Sequence, residues 1–379
     1  RKRKKVPFRK RYPAMDDLYR EGRFFRTEKQ GRIISGVLVV GWHGIRKQEN
    51  LHAGRLCDRE FLSFTGIKRY FLARNRLQSG TPMTPTALTP SEHIPTLTDL
   101  ELECPPLPQT LLEAIQLMER PEPPEPEEVE AMLQHDPAAV ARLLRVANSA
   151  YYGLRGRIGD VRHAIVVLGP PAVVGMVMSM GMLSMKSAFD ARTAAPFLNL
   201  VRHCAATAYL ARLLIQRAPR PGDWRPESAY TAGLLHDFAK LLLLYNKPDA
   251  ALAAFQPGAG PRTPEEQEAV FGYSLEVITQ ALALHMKLPE PLFRALMDLY
   301  GEGRGDGVAA TPGALLRVAS LGATWLDYGF DEPMRREEEP LDADWELTAQ
   351  LFGYPDAEAV WQTVEAVREI LQNYVDAHF

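Results

Sequence analysis

From residue 100 to the end of the chain, apolar side chains recur three and four residues apart, and nearly every such stretch is bounded by proline or glycine. That spacing gathers apolar residues on one stripe of a helix. Proline is tolerated in a first helical turn and glycine follows a last one. "PLPQTLLEAIQLMER" (106–120) opens on proline and sets Leu111, Leu112, Ile115 and Met118 on one stripe. An acidic proline loop (121–128) leads into "EEVEAMLQ". In "HDPAAVARLLRVANSAYYG" (135–153), Asp136 is a good N-cap and Pro137 a good first helical residue, with Leu143, Leu144 and Ala147 facing inward. In "GDVRHAIVVLG", Asp160 caps a helix that ends at Gly169. Longer helices are expected at about 196–217, 227–245, 264–286, 289–300, 312–328, 342–352 and 356–377. In the last, Val360, Trp361, Val364, Val367, Leu371 and Tyr374 repeat at helical spacing. Strand patterns are nearly absent here and no fixed-period repeat is evident, so the fold class expected is all-α.

The first 80 residues differ. They hold 21 Lys/Arg against 7 Asp/Glu, whereas the whole chain of 379 residues carries a net charge of −3. A basic arm on an acidic body follows, and residues 1–80 are expected to be a basic, poorly structured extension. "GRIISGVLVVGWHGI" (31–45) reads as one strand, and "REFLSFTGIKRYFLARNRL" (59–77) as a basic helix or a strand pair. Such an arm can touch nucleic acid or an anionic membrane, although no helix-turn-helix or zinc-finger pattern is present. Residues 81–103, dense in Thr and Pro at their start, are expected to be a linker.

The uncharged run from Ala164 to Met185 has the length of a bilayer span. "GPP" at 169–171 interrupts it, and two short buried helices are expected instead of one transmembrane segment. Five of the twelve methionines lie in "GMVMSMGMLSM" (175–185), where Gly175 and Gly181 suggest close helix packing in a core. Cys57, Cys104 and Cys204 are widely spaced, and no apolar signal segment directly follows the basic N-terminus. A reducing, cytoplasmic setting is expected. "GEGRGDG" (301–307) lacks the G-K-[ST] of a phosphate-binding loop. Asn148 and Ser149 are expected to terminate a helix locally. Cys204 adjoins His203, but sequence neighbours on a helix point about 100° apart, so no nucleophile pair is expected.

The chemistry-bearing segment is "GLLHDFAK" (233–240). Adjacent His236 and Asp237 can be two ligands of one metal. They are expected mid-helix, with Ala232, Gly233 and Ala239 letting another helix approach closely. Lys240, three residues past Asp237, can pair with it. The segment resembles the H-D-x-G-K motif of the HD superfamily, with Ala239 in place of the glycine. "CPPLPQTLLEAIQLM", "HDPAAVARLLRVANSAYYG" and "DVRHAIVVLGPPAVVGMVM" resemble the HDOD family, the HD-related output domains of bacterial signalling proteins. The resemblance covers about residues 104–300. It implies a helical domain over 104–330 with lobes at about 104–190 and 195–330. Residues 331–379 would then be C-terminal helices packed on it.

Catalytic members of the superfamily hold metal with an early His, the His-Asp pair and a late Asp. Carried onto this chain, the resemblance puts His203 of "VRHCAATA" in the first position, with His236 and Asp237 as the pair. The late acid position, in "LLRVASLGATW", holds Ser320. Asp327 lies seven residues on, roughly 10 Å along a helix axis, too far to substitute. Tyr273 and Ser274 stand near the place of an additional His, and His285 resembles no ligand position. His203, His236 and Asp237 are thus read as the remnant of a metal site, in which Asp237 accepts a hydrogen bond from one of the histidines. The family resemblance implies non-catalytic signal output with no cofactor, through an unidentified signalling protein or a nucleotide-type ligand. The opposing reading is a metal-dependent phosphohydrolase built on the same three residues.

Overall fold

The computed structural model describes residues 94–134, 136–153, 157–256, 263–300, 312–330 and 343–379. The strand expected at 31–45, the helix or strand pair at 59–77, the basic extension and the glycine-rich loop at 301–307 lie outside these residues. Helices are the only regular elements among the described residues, as the periodicity requires.

The chain is described first as a turn. Ile94, Leu97, Leu100 and Leu102 are buried in it, and Thr96 and Asp99 cap it through a 2.8 Å hydrogen bond. The linker expected over 81–103 therefore ends sooner, because four apolar side chains at short spacing find the core. Helix α1 (Gln109–Met118) buries Leu111, Ile115 and Met118. Helix α2 (Pro126–Leu133) starts with a capping box between Glu125 and Glu128. Helix α3 (Pro137–Ala147) is capped by Asp136, whose Oδ1 accepts from the Ala139 amide at 2.8 Å. It stops where the Asn148 side chain bonds the Leu144 carbonyl at 2.6 Å and pairs with both backbone groups of Ile158 at 2.8 and 3.0 Å. The local role expected for Asn148 is met.

Helix α4 (Val161–Leu168), capped by Asp160, ends at Gly169, whose φ of 85° turns the chain into α5 (Pro170–Ser184). The two axes are bent by 118°, and no single described helix is long and apolar enough to cross a membrane. The expected burial holds for α5, whose residues Val173–Met182 are all covered, methionines included. It fails on one face of α4, where Val166 is 74% exposed. A helix of eight residues against one neighbouring layer covers only one side. At Gly181 a Cβ would stand 2.8 Å from Leu111 Cβ, so glycine there lets α5 lie against α1.

Helix α6 (Ala194–Arg217) is the long central element, buried on most of its surface. Four expectations of single long helices resolve into broken ones. Residues 227–245 form α7 (Pro226–Leu235) and α8 (Phe238–Asn246), with α9 (Pro248–Ala254) following. Residues 264–286 form α10 (Pro264–Phe271) and α11 (Leu275–His285), parted at Gly272, whose φ is 87°. Then come α12 (Glu290–Tyr300) and α13 (Pro312–Ala323), the latter ending in a π-type turn over Thr324–Tyr328 with Asp327 at φ 75°. Helix α14 (Ala343–Phe352) precedes α15 (Ala357–Glu365) and α16 (Arg368–His378), which divide the expected 356–377 helix. Their stripe of Val360, Val364, Val367, Leu371 and Tyr374 is buried as expected. The segment from α14 on is tied to the end of α6 by Tyr354 Oη on the Leu214 carbonyl at 2.7 Å and the Arg220 amide on the Phe352 carbonyl at 2.9 Å. One hydrophobic core runs from Ile94 to Val375.

Candidate functional site

The closest helix approach in the fold sets the site. Gly233 of α7 faces the backbone of α6, and a Cβ there would stand 2.7 Å from Ala208 Cα and 3.0 Å from the Thr207 carbonyl oxygen. The small residues around the His-Asp pair thus admit another helix, as the sequence suggests. One turn beyond Gly233 along α7 comes His236, and a little over one turn before Ala208 along α6 comes His203. The two rings meet with centroids 5.2 Å apart.

His236 and Asp237 are not mid-helix. His236 caps α7 and Asp237, at φ −108° and ψ 17°, starts α8. The cause is local. The His236 Nδ1 donates to the Gly233 carbonyl at 2.7 Å, occupying one of the acceptors left at a helix C-terminus. The Asp237 carbonyl then accepts the Lys240 amide at 3.0 Å and opens the next helix. The break turns the Asp237 carboxylate inward beside both imidazoles.

All the groups are buried: His203 is 0% exposed, His236 2%, Asp237 5%, Lys240 8% and Ser320 4%. One ligand atom from each of His203, His236 and Asp237 lies within 4.8 Å of the others. Asp237 Oδ2 is 3.4 Å from His236 Nε2 and 3.7 Å from His203 Nε2. Its nearest cation is the Lys240 ammonium, at 3.0 Å. His203 Nδ1 contacts the Tyr328 carbonyl at 2.8 Å and its Nε2 contacts Ser320 Oγ at 3.2 Å.

Carbonyl oxygens only accept, so the Nδ1 of each histidine carries the proton. In the neutral form of either ring Nε2 then carries a lone pair, and in that form the Ser320 hydroxyl donates to His203 Nε2. His236 Nε2 is buried without a hydrogen-bond partner. Burial pushes the His236 imidazole below its usual value, against the pull of Asp237, which keeps it neutral. Burial alone would raise the Asp237 carboxyl. Attraction from its positive neighbours, Lys240 among them, outweighs it and holds the group below the ordinary carboxylate range. The hydrogen bond expected from a histidine to Asp237 is not formed: Asp237 Oδ2, like His236 Nε2, is buried without a hydrogen-bond partner, and the Lys240 ammonium stands 3.0 Å from it as an ion pair. The Nε2 lone pair of the neutral His236 ring cannot supply a proton to the carboxylate.

The arrangement has the imidazole half of a metal centre: two nitrogens aimed at one region, each ring fixed by a backbone carbonyl on its far side. Among the described residues it has one carboxylate, that of Asp237, as its anionic half. Ser320, at the position the resemblance gives to the late acid, lies against His203 and brings a neutral hydroxyl. The Asp237 carboxylate is paired with the buried Lys240 ammonium. The donor set matches a divalent ion in its nitrogens and not in its charge.

The remaining residues singled out from the sequence lie elsewhere. Asp327 is exposed and pairs with Arg368 at 3.3 Å. Ser274 caps α11, Tyr273 packs under the Lys247 ammonium, and His285 is exposed at the end of α11. Cys204 is buried in the core. Two participants carried no sequence signal. The Tyr328 carbonyl is a backbone group, placed only by the π-type turn. Tyr300, bonded to Thr279 Oγ1 at 3.0 Å, lies close enough to Asp237 that the carboxylate adds to the upward push of burial on its phenol.

Comparison with known proteins agrees with this fold. The family model for the HDOD domain matches residues 104–299. No curated protein matches the sequence. Among solved structures, a candidate signal transduction protein from Marinobacter aquaeolei VT8 is similar at 19% identity and a TM-score of 0.56, over 82% of this chain and 66% of that one. An HDOD domain protein of unknown function from Geobacter sulfurreducens is similar at 18% identity and a TM-score of 0.55, over 83% and 99%. A candidate phosphohydrolase from Shewanella amazonensis SB2B is similar at 21% identity and a TM-score of 0.53, over 75% and 97%. At these identities the structures speak for the fold, and the family match covers more than half of the chain: it belongs to the HDOD family.

Proposed function

We propose that this chain is a non-catalytic signal-output protein, which acts by binding a signalling protein or a nucleotide-type ligand. The observation that carries the reading is the closed state of the would-be reaction centre. His203, His236 and Asp237 are each at most 5% exposed, and the Asp237 carboxylate is held by Lys240 at 3.0 Å. A hydrolytic site needs a nucleophilic water and a phosphoryl group within reach of its metal or base. Here His203 Nε2 lies against Ser320 Oγ at 3.2 Å, a neutral hydroxyl at the position the family resemblance gives to an acid.

The test is turnover. The purified chain, supplied with Mg²⁺, Mn²⁺ or Zn²⁺, is assayed on bis-p-nitrophenyl phosphate and on cyclic dinucleotides beside His236→Ala. Equal background rates in the two proteins are expected. Hydrolysis that disappears in His236→Ala would replace this reading with the metal-dependent phosphohydrolase.

A further inference from the structure

We infer that the cleft between α3, the turn after α5 and the start of α6 is a nucleotide site, with Arg142 and Lys186 as the seat of the phosphate. The inference rests on the reading of a ligand-binding protein above and gives the ligand a place, away from the buried His-Asp cluster.

The cleft measures about 610 Å³, within the roughly 300–1,000 Å³ of pockets that hold small molecules. Arg142 lines it from α3, Lys186 from the single 3₁₀ turn at Met185–Ala188, and Leu198 from the second turn of α6. Beyond residue 80 the chain holds 23 Lys/Arg against 40 Asp/Glu. Despite that excess of acid, neither Arg142 nor Lys186 forms an ion pair among the described residues. The Arg142 guanidinium is half-buried and tethered by one bond, Nη1 to the Met180 carbonyl at 3.3 Å. Its other donors have no acceptor among the described residues. A fork tethered at one nitrogen is pre-positioned, and its parallel N–H groups match a phosphate; the exposed Lys186 adds a point charge. Asp190 is the one acidic side chain in the lining, and it is committed to its own turn. Its Oδ1 accepts from the Arg192 and Thr193 amides, both at 2.9 Å, and from Thr193 Oγ1 at 2.8 Å, and its Oδ2 lies 3.5 Å from Arg192 Nε.

The rest of the lining fits an aromatic body that carries hydrogen-bond donors. The half-buried Phe189 ring is fixed by Phe197 and Tyr245, whose centroids are 4.4 and 5.7 Å away. With Leu183, Leu198 and Phe379 it makes an apolar wall, and a base can stack on such a ring. Ser184 and Ser187 donate their protons within the turn, to the Gly181 carbonyl at 2.7 Å and the Ser184 carbonyl at 3.4 Å. Their oxygens are left to accept from a ligand's hydroxyl or amino groups. Inorganic phosphate satisfies the cations alone, and an aliphatic carboxylate satisfies the cations and the wall but brings the serines no donor. A nucleotide meets all three.

Calorimetric titration of the full chain tests the site with AMP, GMP, ATP, GTP and cyclic di-GMP, beside adenosine, guanosine, inorganic phosphate and octanoate. At least one nucleotide is expected to bind, and its nucleoside, phosphate and octanoate to bind roughly tenfold more weakly or worse. Lys186→Gln and Arg142→Gln should each weaken that nucleotide by roughly tenfold or more, and Ser187→Trp, which fills the cleft from its exposed turn, should abolish binding. Lys186 is exposed, so its variant decides alone if Arg142→Gln does not fold. Three results would overturn the inference: no nucleotide of the panel binds, phosphate or octanoate binds as tightly as the best nucleotide, or a folded Lys186→Gln protein binds that nucleotide as the wild type does. Nucleotide binding that survives Lys186→Gln but is lost in His236→Ala defeats this inference and leaves the non-catalytic reading standing. Turnover of a bound nucleotide that is lost in His236→Ala defeats that reading, whatever the cleft binds.

Discussion

Three glycines in helix interiors allow the packing that builds the site to be tested by one kind of change. Glycine to alanine at such a position gains about 0.5–1 kcal/mol of intrinsic helix stability, wherever it is made. What differs is the obstacle. At Gly175 the new methyl would meet the Tyr230 ring at 3.4 Å, an ordinary contact. At Gly181 it would stand 2.8 Å from Leu111 Cβ, an atom rooted to the α1 backbone. At Gly233 it would stand 2.7 Å from Ala208 Cα and 2.9 Å from the Ala208 amide nitrogen, which no rotamer can move. Reaching 3.4 Å there requires α7 and α6 to part by about 0.7 Å. Overpacking of this kind costs roughly 1–3 kcal/mol, with the rigid backbone obstacle at the upper end. Subtracting the helix gain, Gly233→Ala should lose about 2 kcal/mol, Gly181→Ala about 1 kcal/mol or less, and Gly175→Ala should be neutral or slightly stabilised. At roughly 2–4 °C per kcal/mol for a domain of this size, Gly233→Ala should melt several degrees below Gly175→Ala. Urea denaturation of the three variants at neutral pH reads the order. A Gly233→Ala protein as stable as Gly175→Ala would refute the view that this contact sets the spacing of His203 and His236.

The other expectations concern single side chains. Burial lowers the His378 imidazole from 6.5 to about 4, so the folded state favours the neutral ring. Its contribution is full above pH 6.5 and is lost as the pH falls toward 4, by about 3 kcal/mol at 1.36 kcal/mol per unit. His378→Phe should flatten the urea-midpoint profile over that window, and an unchanged slope would count against the assignment. The Tyr230 hydroxyl joins Ser179 Oγ at 2.6 Å, Tyr374 Oη at 2.8 Å and the Gly175 carbonyl at 3.1 Å, all buried. Tyr230→Phe should therefore cost about 1–3 kcal/mol, and a loss under half of that would mean the network relaxes or water replaces the hydroxyl. Arg317 forks onto the Asp344 carboxylate with two 2.7 Å bonds and also caps the end of α12 through the Asp298 and Leu299 carbonyls. Arg317→Met should lower the melting temperature and loosen α14, seen as faster amide exchange in Ala343–Phe352; exchange unchanged there would show that apolar packing alone holds it.

Helix after helix of the body could be read from its residues, because caps and stripes are local. Asp136, Asp160 and Gly169 act over three or four positions, and each does in the fold what its neighbours in sequence require. The breaks at His236–Asp237 and at Ala366–Val367 were not legible. Apolar periodicity runs through both, and the interruption at the first comes from a ring nitrogen bonding a carbonyl three residues back. The buried turn at Ile94–Leu102 was masked by the threonines and prolines before it. Its four apolar residues gain a role only when there is a core to enter.

The residues by themselves determined the class of fold, the family, and which side chains gather at the centre: His203, His236, Asp237 and, opposite His203, Ser320. The fold class follows from pattern and spacing, and the family and the gathered side chains from the motifs that resemble the HDOD family; both survive in one dimension. Tertiary structure decided how the charges are settled. Whether Asp237 faces a proton donor, a metal or Lys240 depends on distances between α6, the α7–α8 junction and α13, and on the Tyr328 carbonyl that fixes a ring from a distant turn. Electrostatic balance in a buried cluster is a sum over neighbours from separate helices, and no stretch of sequence contains it.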